Sequence, residues 1–172
     1  MKKTFLALVV LFVFVSCKAQ LKGTINLYGF KQAVLPGMIP GDIMTDDGRI
    51  IEQPFKPKFN LFIYTASINT ITPVEVWLDG KKYSVKTEAV TTTPVEYTNP
   101  TSMPQPSVTT IVPKTSKKVL RLTLVEAADS KPFLKNTSMA KEKELIVVYK
   151  QGSKIYYTSL NTLKEIEPVA MQ

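Results

Sequence analysis

Four side chains that could contact a ligand fall on one face of a hairpin that the sequence predicts: Glu75, Trp77, Lys82 and Ser84. Apolar and polar residues alternate from Val74 to Val85 around Asp79-Gly80, and Asp-Gly between alternating strands is typical of a two-residue turn. This turn places Trp77 opposite Lys82. The polar face of the hairpin then carries Glu75, Trp77, Lys82, Ser84 and Lys86, and the apolar face carries Val74, Val76, Leu78, Tyr83 and Val85.

The only tryptophan of the chain, on this polar face, allows two interpretations. An exposed Trp77 beside Lys82 could stack on a flat ligand ring or rest under the ammonium group. Alternatively, a loop or a second sheet covers Trp77 as ordinary core, and a shift of one residue in register would do the same. The covered tryptophan is favoured, and Glu75, Trp77, Lys82 and Ser84 remain the candidate ligand-binding residues.

The densest group of carboxylates does not fit a calcium loop. Asp42, Asp46 and Asp47 precede Gly48, and calcium prefers several oxygen ligands. With Gly48 at the sixth position of an EF-hand loop, Ile43 would occupy the first ligand position and Pro54 the twelfth, where an acid is required. The pattern instead indicates a turn that enters a strand at residues 49–52. We therefore expect no metal site and no cofactor.

The composition excludes several kinds of catalytic site. The chain has no histidine and one cysteine, Cys17, so triads built on histidine and zinc sites built on histidine or several cysteines are ruled out. A Ser-Lys pair could still form, but Ser116-Lys117 lies in a lysine-rich turn without the burial that lowers a lysine pKa. We expect the protein not to be an enzyme.

The elements that position these residues are predicted to be strands. Leu120, Leu122 and Leu124 alternate with polar residues, as on a half-buried strand. Residues 145–149 are apolar on both faces, which indicates a central strand beneath a second layer. Gly152 supplies the turn of another hairpin. Eight or nine such strands predict an all-β fold, a two-sheet antiparallel β-sandwich. By analogy the topology could be immunoglobulin-like, and a small β-barrel is the alternative.

A long segment rich in proline and threonine interrupts the strand pattern between residues 91 and 118. Its five prolines oppose regular ladder pairing. We expect residues 99–107 to form an extended, exposed loop between short strands at 95–97 and 108–112. A glycine- and proline-shaped turn is expected at residues 35–41, and a short helix at residues 138–144.

The first twenty residues have the pattern of a secretory signal. Lys2 and Lys3 precede an apolar run of eleven residues, 5–15, which is too short for a bilayer core that needs about 20. The segment Ser16-Cys17 resembles a bacterial lipobox, although Phe14 stands where leucine is usual. The resemblance implies cleavage before Cys17 and a lipid on its thiol; cleavage after Ala19 is the alternative. Residues 21–172 are then expected to form one domain.

The net charge of +8 does not indicate a nucleic-acid partner. Three of the lysines lie in the leader, and Arg49 and Arg121 are the only arginines, so the bidentate groups that recognise bases and phosphates are scarce. A solvated lysine surface, with loose attraction to anionic lipid or polysaccharide, explains the charge better.

Three functions remain compatible with the sequence. The first is an exported, lipid-anchored envelope protein of the periplasm or the cell surface, whose non-catalytic β-domain contacts another envelope protein through a sheet edge or the proline loop. The second is a carbohydrate-binding module that uses Trp77 and its polar neighbours. The third and least favoured is an enzyme based on carboxylates.

Overall fold

The described residues fold mostly into strands, as the alternating pattern predicts. The computed structural model describes residues 21–22, 25–35, 43–44, 50–51, 58–102, 105–126, 131–134 and 137–170. The strands are β1 (Leu21–Lys22), β2 (Asn26–Leu35), β3 (Ile43–Met44), β4 (Ile50–Ile51), β5 (Lys58–Ser67), β6 (Thr72–Leu78), β7 (Lys81–Val90), β8 (Val95–Asn99), β9 (Ser107–Val112), β10 (Lys118–Glu126), β11 (Leu145–Gln151), β12 (Lys154–Leu160) and β13 (Lys164–Ala170). Within the described residues, one short helix, α1, covers Met139–Glu142. The prediction of an all-β fold is confirmed.

Nine strands form one large sheet in the order β1-β12-β11-β6-β7-β10-β5-β2-β13. The seven interior strands pair antiparallel, but β1 lies parallel to β12 and β13 lies parallel to β2. The sheet is therefore mixed, which corrects the expectation of a wholly antiparallel one. Alternation of apolar residues predicts that a segment is a strand, but not the direction in which an edge strand runs.

The large sheet curls until strands from its two ends meet. A Cβ at Gly29 on β2 would lie 2.5 Å from a methyl group of Leu163 and 2.9 Å from one of Leu160, at the end of β12. Seven strands contribute to one inner core, which comprises Leu27, Leu61, Ile63, Val76, Leu78, Val85, Leu120, Leu122, Leu124, Leu145, Val147, Leu160 and Leu163. The two inner layers thus come from one continuous sheet rather than from two separate sheets.

Two further layers cover the outer face of the curled sheet. The ribbon of β8 and β9 is a small second sheet that packs Ile111 and Val112 against Phe30, Tyr64 and neighbouring residues. On the other half, Leu134 and Ala140 pack on Ile146 and Val148 of β11. This explains why residues 145–149 are apolar on both faces, and it confirms the prediction of a central strand beneath a second layer.

The hairpin between β6 and β7 has the predicted turn. Asp79 and Gly80 have φ angles of 49° and 76°, which is the type I′ geometry that Asp-Gly favours. Trp77 stands opposite Lys82, as predicted. Val74 departs from the prediction, because the register of β11 shifts next to it and the side chain joins Trp77 in the outer cluster.

Other predicted elements are found only in part. The strands that flank the proline loop are β8 and β9, the helix is α1, and the strand after Gly48 is β4. The leader with Cys17, most of the turn at residues 35–41 and the turn at residues 46–48 lie outside the described residues. In the described part of the chain, no helix is both long enough and apolar enough to span a bilayer.

Candidate functional site

The carboxylate of Glu75 binds a covering segment to the sheet. Glu75 is only 3% exposed and accepts a hydrogen bond of 2.6 Å from Nε1 of Trp77. The backbone N–H groups of Phe133 and Leu134 donate to the same carboxylate at 2.9 Å and 3.1 Å. Three donors from neutral groups therefore satisfy this buried acid and fix residues 131–134 over β6.

The indole ring of Trp77 is packed beneath this segment. The half-buried ring belongs to the cluster that includes Leu134, Met139 and Ala140, and its only N–H group is used by Glu75. Lys82 is half-buried opposite Trp77, whereas Ser84 is exposed farther along β7. The structure thus brings Glu75 and Trp77 together in a covered cluster, the arrangement that the sequence favoured over a ligand platform.

An opening between β5 and β10 is a better candidate for binding. The ladder between the two strands ends at the pair Leu122 and Ile63. Beyond it, β5 continues as residues 58–62 and β10 continues as residues 123–126, and these segments do not pair with each other. Each keeps its partner on its other side, β2 and β7 respectively. The two strands therefore present facing backbone edges that are unpaired within the described residues.

A groove of about 430 Å³ lies in this opening. Phe59 on its rim is 50% exposed. Asn60 and Thr123 are exposed as well, and Arg121 adds a positive charge to the lining. Free backbone groups flanked by apolar side chains suit an extended peptide, which adds to an unpaired sheet edge by main-chain hydrogen bonds.

The sequence pattern could not reveal this opening. Phe59, Leu61 and Ile63 share one face of β5, and alternation predicts that all three are buried. The structure buries Ile63 and leaves Phe59 half exposed, because β5 outruns the ladder with β10. The amino-acid sequence of neither strand carries a local signal that the two strands will separate.

A second, larger cavity lies at the β6–β7 turn. It measures about 590 Å³ and is lined by the turn, by α1 with the residues that follow it, and by Asn161 and Thr162. At its wall, Glu144 accepts a hydrogen bond of 2.6 Å from the N–H of Leu163 and pairs with Lys31 at 3.1 Å. The hydrogen bond with Glu144 raises the pKa of Lys31, burial opposes this, and Glu165 adds to it. These contacts join three segments of the fold. They also engage both Lys31 and Glu144, so neither side chain is free to act as an acid or a base.

Glu167 holds the proline-rich loop against β13. Its carboxylate accepts hydrogen bonds from the hydroxyl groups of Ser102 and Ser107, and these two bonds lower the pKa of Glu167. Asn99, which is 2% exposed, donates to the backbone oxygen of Pro168 at 2.9 Å. At least the described part of the loop is therefore anchored at both of its ends.

The described residues hold no group of three or more side chains that could bind a metal ion. Glu75, Glu144 and Glu167 are the most strongly engaged carboxylates, and each is used to fasten one segment to another. Comparison of the chain with protein-family models, with curated proteins and with solved structures finds no match. The leader and the geometry of the sheet are therefore the features that bear on function.

Proposed function

We propose that this protein is an exported, lipid-anchored bacterial envelope protein that binds another envelope protein without catalysis. The bound element is an extended segment of the partner, and the binding site is the opening between β5 and β10. The single observation that carries the proposal is the pair of facing, unpaired backbone edges beyond Leu122 and Ile63.

The leader supports the location. Lys2 and Lys3, the short apolar run and Ser16-Cys17 together have the pattern of a lipoprotein signal. Two or three acyl chains on Cys17, at about 0.8 kcal/mol for each buried CH₂ group, would hold the domain firmly on a membrane. Intact mass of the protein extracted from membranes tests this part, since a mature chain that starts at Gln20 without lipid would contradict it.

The shape of the opening supports strand addition. An added strand would gain hydrogen bonds to the unpaired backbone groups of the two edges, while Phe59 would supply an apolar contact to one of its side chains. Natural sheets usually protect such edges with charges, proline or a covering loop. Residues 59–62 of β5 carry no charge and no proline, and the charged residues of the two unpaired stretches stand at their ends, at Lys58 and Glu126, so the middle of the opening lacks that protection.

The proposed contact is tested by photo-crosslinking in intact cells. A photoreactive residue replaces Thr123 in the opening or, as the matched control, Thr110 on β9; both threonines are exposed on strands. We expect a reproducible adduct with one protein from position 123 and none from position 110. Phe59→Ser should reduce the adduct severalfold, whereas Val108→Ser, at a residue that is 59% exposed outside the opening, should leave it unchanged.

Equal adducts from the two threonine positions, or an adduct that is insensitive to Phe59→Ser, would refute the site. The carbohydrate-binding alternative receives less support, because Trp77 is packed and its N–H group donates to Glu75. If the alternative were correct, Trp77 emission would shift on addition of one glycan, and Trp77→Ala would abolish glycan retention.

A further inference from the structure

One end of the curled sheet carries a concentration of lysines, here called the basic end. The antiparallel order brings together at this end the turn after β5, the segments before β8 and β10, and the β11–β12 turn. The basic end carries Lys114, Lys117, Lys118, Lys150 and Lys154. None of the connecting segments 67–71, 91–94, 113–117 and 151–153 contains an acidic residue.

The partners of Lys117, Lys118 and Lys150 are neutral groups. Lys117 donates to the side-chain oxygen of Asn26 and Lys118 to that of Thr70, each at 3.2 Å. Lys150 lies over the ring of Phe133, 5.2 Å from its centroid. Both ion pairs found within the described residues belong to Lys31, away from this end. Among the residues that the structure describes, no ion pair therefore offsets the positive charge of the basic end.

The chain enters the sheet close to the basic end. β1 runs parallel to β12, and Leu21 pairs with Tyr156, two residues after Lys154. Leu21 is the fourth residue after Cys17, and four extended residues span at most about 14 Å. A lipid on Cys17 would therefore hold this end within reach of the membrane surface.

We infer that the basic end docks on an anionic phospholipid surface and so orients the anchored domain. This inference rests on the lipid anchor of the proposed function. It places the opening at the far end of the sheet, because Phe59 is eight residues from Ser67 along β5, a distance of about 27 Å. The opening between β5 and β10 would then face away from the membrane. Exposed Ile68, which is 78% accessible on the turn after β5, would enter the interface.

The orientation is tested on the mature protein, purified from membranes and reconstituted in vesicles. Ser153→Cys at the basic end and Ser84→Cys on β7 provide matched labelling sites, because both serines are exposed. Each label is quenched by lipids with spin-labelled headgroups, in phosphatidylcholine vesicles with or without one-third phosphatidylglycerol. We expect phosphatidylglycerol to increase quenching severalfold at position 153 but not at position 84, and added salt to reverse it.

Removal of lysine charge should weaken docking on the membrane only when the lysines lie at the basic end. Each lysine near an anionic surface contributes about fivefold to binding, so Lys114→Gln, Lys118→Gln and Lys154→Gln together should lower the ratio of docked to undocked protein on the order of a hundredfold. The control combines Lys58→Gln, Lys81→Gln and Lys141→Gln, which remove the same charge from exposed lysines elsewhere, and should change little. Equal quenching at the two positions, or equal effects of the two triple variants, would overturn the inference.

Failure of the anchor can be separated from failure of docking. If intact mass shows an unlipidated mature chain, the anchor is refuted, and flotation of that chain with the same two vesicles tests the surface directly. If the unlipidated chain floats with the anionic vesicles but not with the phosphatidylcholine vesicles, and the triple variant of the basic end does not float, the docking surface is supported. If the chain floats with neither kind of vesicle, the docking surface is refuted.

Discussion

Replacement of Gly29 by alanine should destabilise the closure of the sheet. A Cβ at this position would meet Leu163 at 2.5 Å, Leu160 at 2.9 Å and Leu145 at 3.1 Å, all shorter than ordinary contact. Leu163 is 5% exposed and Leu145 is fully buried. Both leucines belong to the inner core, so their methyl groups have little room to move.

The expected cost follows from two opposing effects. Extra volume in a packed core costs about 1–3 kcal/mol, while loss of glycine freedom in the unfolded chain returns about 0.4–1 kcal/mol. We therefore expect Gly29→Ala to lower the free energy of unfolding by about 1–2 kcal/mol. Leu163→Ala alone should cost about 2–5 kcal/mol because it leaves a cavity. In the double variant the new methyl group would enter that cavity, so the combined cost should be at least about 1 kcal/mol less than the sum.

Equilibrium unfolding in urea measures all three variants, and Trp77, the only tryptophan, reports the transition. Strict additivity of the two substitutions would show that Gly29 and Leu163 do not share space. An unchanged midpoint for Gly29→Ala would refute the close approach of β2 to the segment that follows β12.

Three further outcomes follow from the hydrogen bonds and turns. Glu75→Gln should cost about 1–3 kcal/mol, because it turns an amide N–H toward at least one of the N–H groups that donate to the Glu75 carboxylate. In urea unfolding the exposed Glu126→Gln should change little, and equal effects would contradict the hydrogen bonds that hold residues 131–134 to Glu75. The lowered pKa of Glu167 means that its contribution is present above the usual 4.5 and is lost as pH falls through the folded value. Protection of the backbone N–H groups of residues 99–107 from hydrogen exchange, measured relative to the intrinsic exchange rate at each pH, should therefore fall only in acid, and a loss of protection that begins at neutral pH would count against this. Gly80→Ala should cost about 1 kcal/mol by thermal unfolding, because φ is 76°; no change in midpoint would argue against the I′ turn.

The sequence predicted local structure well where the signal lies within one hairpin. Asp79-Gly80 determined both the turn and the pairing of Trp77 with Lys82, and the apolar run at residues 145–149 indicated a strand covered on both faces. The cover itself could not be predicted, since the backbone donors to Glu75 come from residues 133 and 134, far along the chain.

Features that depend on distant segments were not predictable from pattern alone. The opening at Phe59 exists because β10 leaves β5 after Leu122, and this reflects how the whole sheet curls. The parallel pairing of β13 with β2 has the same origin, because the curl brings Gly29 of β2 against Leu160 and Leu163, where the chain passes from β12 into β13. The role of Glu167 as an anchor was not predictable for the same reason, because its partners, Ser102 and Ser107, lie about 60 residues away in the sequence.

The parallel edges also bear on how the chain can fold as it is made. β2 is complete by residue 35, yet its partner β13 begins at Lys164, so most of the polypeptide must emerge before this edge can close. Contacts between such distant segments slow folding because a large loop must be closed first. Until then β2 presents an open edge prone to aggregation. A holding chaperone would therefore be most useful during the interval between synthesis of β2 and arrival of β13.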